Sequence, residues 1–126
     1  MARGWSIPPT AFADQIEAEI SQRVRVIAMA LLNEIVLRSP VDSGRFRGNN
    51  VVSIGAPVYS SSNATDQTGS DTIAAGAAQL SGLEPFTVVY IQNNLPYAER
   101  LEDGYSEQAP AGIYGLAFIG VSEAYR

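Results

Sequence analysis

The side chains in this sequence that could do chemistry fall into two small groups. Glu99, Glu102 and Asp103 lie three and four residues apart, the spacing that brings side chains together on one face of a helix. Paired carboxylates of this kind act as general acid and base in hydrolysis, or hold a hard cation. The same spacing describes a solvated helix face, and an acidic cluster with no histidine beside it is read that way first. The second group is Arg45 and Arg47, which flank Phe46 just after Asp42-Ser43-Gly44. On a nucleic acid, such a trio would set guanidiniums on phosphates and stack the ring on a base. Two cations on an acidic chain make a poor footprint for that purpose. Arginines in a glycine-bounded loop suit bidentate pairing with carboxylates, within the fold or across a subunit boundary, and the sequence leaves both open. Trp5, isolated ahead of the first periodic segment, either packs back on its own domain or anchors in a neighbour.

The residue types that are missing narrow the field further. There is no Cys and no His, and all eight basic residues are Arg. Disulfides, thiolate nucleophiles and Cys-ligated metals are therefore excluded. So are histidine general bases, Schiff bases and the phosphate-loop lysine. The expectation is a protein that is not an enzyme and needs no cofactor. A net charge of −5 argues against a chain that grips nucleic acid. The most apolar run, Val26 to Leu37, contains Asn33 and Glu34 and falls short of the ~20 residues a bilayer requires. No membrane contact and a soluble product made in the cytoplasm are expected.

These residues need elements to position them, and 126 residues suffice for one domain, 1–126. Phe12, Ile16, Ile20, Val24, Ile27, Leu31 and Ile35 recur every three or four positions and predict one long helix with that stripe inward. Ile27, Leu31 and Ile35 should be its core positions. Pro8, Pro9 and a Thr10 cap suit its start, and Ser39-Pro40 its end. The second half is apolar almost all round and should be covered on more than one side. The segment SPVDSGRFRGNN reads as a loop, and Val51–Tyr59 as a strand with a bulge or edge at Gly55 and Pro57. The tract 60–70 reads as a flexible loop. Ser70 caps a short helix to about Leu80, Phe86–Gln92 is the clearest strand, and a short helix follows up to Gly104. The last apolar segment, from Ala109-Pro110 onward, fits helical spacing, while its three glycines leave a strand open. The fold class is α+β: a long N-terminal helix and a C-terminal helix packed on a small antiparallel sheet.

Three stretches in this order carry a resemblance: SPVDSGRFRGNN after the long helix, VVYIQNNLPYAERLEDGYSEQAPAG around the second strand, and the apolar end. Together they resemble the tail-completion or neck proteins of siphophages, the minor tail protein Z family of lambda-like phages. The matching positions are Pro40, Val41, Asp42, Ser43, Gly44, Arg45, Phe46 and Arg47, then Asn93, Tyr97, Ala98, Leu101, Glu102, Gly104, Ser106, Gln108, Ala109, Pro110 and Gly112. The resemblance implies a virion protein without a catalytic task, a ring subunit of itself, expected to be six-fold. Its neighbours would be the tail tube or tail-terminator protein and the head connector proteins, with DNA passing through unread. Gly44, Gly104 and Gly112 would then make turns and Pro110 would start a helix, while Arg45, Arg47 and Trp5 are candidates for the subunit boundary. A tail-terminator or head-closure ring subunit is the nearest rival, and a carboxylate-dependent hydrolase a more distant one.

Overall fold

Residues 9–104, 108–109 and 111–126 are described by a computed structural model of the chain; Trp5, Ser106 and Pro110 lie outside them. Helix α1 runs Pro9–Arg38, 30 residues, about 45 Å at 1.5 Å per residue. Thr10 lies inside its first turn and is not its cap. The helix stops at the expected place. Ser39 Oγ turns back to donate to the Ile35 carbonyl at 2.6 Å, and Pro40 follows with no N–H to continue the ladder.

After α1 come a single turn α2 (Arg45–Gly48), strand β1 (Asn50–Ile54), helix α3 (Ser70–Leu80), strand β2 (Val89–Asn93), the short α4 (Ala98–Glu102) and helix α5 (Tyr114–Ala124). The mixed α+β class is as the periodicities require. The two strands pair antiparallel, with Asn50 opposite Asn93 and Ile54 opposite Val89. Both are shorter than their β-branched runs. Gly55 still donates to the Val88 carbonyl but turns to φ 84°, and Pro57 can no longer offer a ladder N–H. Beyond it the chain is held by side chains: Val58 N donates to Gln92 Oε1, and Asn94 Nδ2 donates to the Val58 and Ser60 carbonyls. At the other strand Phe86 adopts φ 62° and is exposed, so pairing begins only at Val89.

The core is split by α1. On one side Ala28, Leu32 and Val36 pack with Val52 of β1 and Leu80 of α3; on the other, Ile35 packs with Phe46, Leu95, Ala109, Ile113 and Ala117 of α5. Gly69 lies against Val36 while Arg25 reaches the Leu83 carbonyl, so α3 runs antiparallel to α1. Arg23 Nη2 donates to the Tyr125 carbonyl at 3.2 Å, so α5 does too. The second half of α1 is therefore covered on two sides.

This arrangement corrects the expected stripe. Of the three predicted core positions only Ile35 is buried; Ile27 and Leu31 are half-covered, and Phe12, Ile16 and Ile20 are exposed. The buried positions are Ser21, Ala28, Leu32, Ile35 and Val36. The physical reason is that α3 and α5 both stop near residues 23–25 of α1, so that among the described residues neither covers the first third of the helix. The largest cost of truncation should accordingly fall beside the stripe. Leu32→Ala should destabilise the domain by about 2–5 kcal/mol, and Leu31→Ala clearly less, in urea unfolding of the two variants side by side.

Candidate functional site

The two motif stretches meet, and what joins them is a buried polar network centred on Asn50. Asn50 starts β1 and is only 3% exposed. Its amide nitrogen donates to Ser39 Oγ and the Arg47 carbonyl, both at 3.1 Å. Its amide oxygen accepts from Asn93 Nδ2 at 3.1 Å and from Tyr114 Oη at 2.7 Å. Every donor and acceptor of that side chain is thereby used, and it ties the end of α1, α2, β2 and α5 to one point. Asn93 continues the chain of bonds by donating to the Phe46 carbonyl at 2.8 Å. Burial, with the Glu102 charge beside it, raises the Tyr114 hydroxyl pKa above the ordinary tyrosine range, so the phenol stays a donor.

Outside this centre the motif residues pair with each other. Gln108 Nε2 donates to Asp42 Oδ1 at 2.7 Å, and Gln108 Oε1 accepts from Val41 N at 2.8 Å. Gly44 sits at φ 82°, and a Cβ there would lie 2.6 Å from the Gln67 nitrogen. Gly112, at φ 92°, would set a Cβ 2.5 Å from the Glu102 carbonyl oxygen. Gly104 takes φ 89° where α4 ends. The segment expected to be all loop contains the α2 turn. Helix α5 begins at Tyr114.

Two carboxylates hold helix ends from a distance. Neither α3 nor α5 has a capping bond from its own N-cap side chain. Asp66 supplies one for α3: its Oδ2 accepts from Thr72 N and Thr72 Oγ1 at 2.8 Å each, and its Oδ1 from Gly69 N at 3.0 Å. Burial by itself would raise the Asp66 carboxyl pKa, but the donors of Thr72, Gly69 and Thr68 outweigh it and hold it below the usual range. Glu102 does the same for α5, accepting from the N–H groups of Ile113, Tyr114 and Gly115. Ser70, expected to be the cap of α3, is its first helical residue; the cap position is Gly69.

The three carboxylates of α4 do not converge as an acid–base unit. Glu99 and Asp103 are exposed and Glu102 faces backbone donors, although Glu99 and Glu102 both line a cleft of about 250 Å³ with Phe46, Asn93, Ala98, Ile113 and Tyr114. The arginines also depart from expectation. Neither meets a carboxylate among the described residues. Arg47 is buried, with Nη1 donating to the Gln67 carbonyl at 2.7 Å and Nη2 to the Ser39 carbonyl at 2.9 Å. Arg45, half-buried, donates from Nε to the Ser62 carbonyl at 3.3 Å. Arg47 therefore staples the motif loop to its own domain through its two Nη groups, while its buried Nε meets no acceptor among the described residues. The tract 60–70 has no apolar anchor, but Asp66 is a polar one, and Asn49 accepts from Ser62 N at 2.8 Å. Compared with protein families, curated proteins and solved structures, the chain finds no match in any of the three.

Asn50 and Asp66 escaped the sequence reading. An asparagine pair opening a β-branched run was one available signal, since asparagine is depleted in strands. The other was the lone acid in a Ser/Thr-rich tract just ahead of a helix.

Two outcomes follow. Arg47→Ala should lower stability by about 2–3 kcal/mol, and Arg45→Ala by less than about 1 kcal/mol, in urea titrations of both variants. For Asp66 the folded pKa lies below the unfolded one. Its stabilisation is therefore full above roughly pH 4 and is lost as pH falls through the lowered value. Asp66→Asn should cost about 1–2 kcal/mol near neutral pH and flatten the loss of stability below roughly pH 4, as read from melting temperatures across that range.

Proposed function

We propose that this chain is a structural subunit of a bacteriophage neck, completing the tail and joining it to the head as a ring, expected to be six-fold. The observation that carries this reading is how the motif residues use their polar atoms. Asp42 meets Gln108, Glu102 holds the start of α5, Arg47 holds the end of α1, and Gly44 and Gly112 sit where a side chain would collide with backbone. A set of residues spent on each other shapes a surface and leaves little over for turnover. The rival hydrolase would have to work in the cleft beside Glu99 and Glu102. A carboxylate whose two oxygens accept three backbone N–H bonds is poorly placed to take a proton from a substrate water.

The partners of such a subunit are further copies of itself, the tail tube or tail-terminator protein, and the head connector. Its acidic balance would let DNA slide through the ring without adhering. The test is genetic and visual. Removing the coding sequence from the phage genome that carries it should leave filled heads and separate tails in electron micrographs, and added purified protein should restore infectious particles. Joined, infectious particles formed without the chain would overturn the proposal. Antibody labelling at the tail end or at the head side of the neck separates tail completion from the terminator and head-closure alternatives.

A further inference from the structure

Among the described residues, no other helix or strand packs on the first third of α1. From Pro9 to Ile20 only Glu17 is even half-covered, and Ile16 and Ile20 lie one turn apart at 40% and 36% exposure. The acids of this projecting segment are Asp14, Glu17 and Glu19, and it has no base. Farther along the same helix lies a cleft of about 320 Å³ between α1 and α5, lined by Ile27, Leu31, Phe118, Val121, Ser122 and Tyr125. Phe118 is 64% exposed on its wall. At the end of α5 the rim carries two arginines and one acid, Glu123. Arg23 is exposed, donating to the Tyr125 carbonyl, and Arg126 is exposed with Glu123 as its partner.

We infer that the projecting segment of one copy docks, Ile16 and Ile20 inward, into the α1–α5 cleft of a second copy. The inference rests on the ring reading above and names its contact. Charge selects this pairing over the symmetric one. Two projecting segments laid on each other would set acid against acid, a destabilising juxtaposition. A segment laid along the cleft brings Asp14, Glu17 and Glu19 toward Arg23 and Arg126, while its aliphatic side chains meet Phe118 and Leu31. The two surfaces lie on different parts of the molecule, so the contact is head-to-tail, and such contacts close into rings when the rotation between copies permits.

The test uses the purified full chain and two variants altered only at exposed positions. Wild-type protein at high concentration should form assemblies larger than a dimer by light scattering. Ile16→Asp/Ile20→Asp spoils the segment and Phe118→Asp spoils the cleft; each alone should be monomeric with an unchanged circular dichroism spectrum and melting temperature. Mixed, they should form one-to-one dimers and nothing larger, because the pair retains a single intact contact. Two monomeric variants that fail to combine would overturn the inference in favour of a symmetric contact. A Phe118→Asp variant that still assembles like wild type would overturn it too, as would a wild-type chain that stays monomeric. None of these results bears on whether particles form without the chain, so the ring reading stands or falls separately.

Discussion

Much of this fold hangs on one buried side chain that must have all four of its hydrogen bonds. An asparagine amide taken out of water loses several kilocalories' worth of solvation unless each donor and acceptor is matched. At Asn50 the matching groups come from four separate elements, so the register of the sheet, the end of α1 and the start of α5 cannot move independently. The apolar clusters on either side of α1 supply most of the driving force, but apolar contact has no direction. Direction is what the Asn50 network adds. The loop through Gly44 is held the same way, by Arg47 on the Ser39 and Gln67 carbonyls and by the Asp66 nitrogen on the Gly44 carbonyl.

A second regularity is that α3 and α5 borrow their N-terminal caps from distant chain. Asp66 lies several residues before α3, and Glu102 sits on a different helix from the one it holds. A carboxylate near a helix N-terminus meets unpaired N–H groups and the positive end of the dipole at once. Here that local rule does tertiary duty. Because Glu102 ends α4, its bonds to Ile113 and Tyr114 fix how α4 and α5 sit together, and they also place Tyr114 where it reaches Asn50. The Asp66 cap likewise draws a polar, anchorless tract onto the domain.

Much of this was legible in the residues. The long helix, its stop at Ser39-Pro40, the helix ending at Leu80 and the paired β-branched runs all follow from local pattern, and local pattern survives folding where the chain has no competing instruction. The stripe from Phe12 to Ile35 was legible as helix but not as core. Periodicity reports that one face is apolar, and it is silent on whether the cover is the same chain. Strand ends were misread because Gly55 and Phe86 leave the extended region through φ, which β-branched composition does not reveal. Arg45 and Arg47 were read from charge as seekers of carboxylates. They found carbonyls, since a buried loop leaves more unpaired carbonyl groups nearby than ionised acids. Distant pairs such as Asp42 with Gln108 depend on contacts across tens of residues, which no window of sequence contains.

The exposed first third of α1 has an energetic meaning of its own. A helix of about a dozen residues is marginal in water, because its first turn fixes several dihedral angles for a single hydrogen bond. Here nucleation is already met by the packed half from Ala28 to Val36, and the exposed residues extend that ladder one bond at a time. The segment is thus presented in its final conformation before any second molecule touches it. A surface that contacts it forgoes most of the ordering entropy that a disordered arm would lose on binding, and more of each contact goes into affinity.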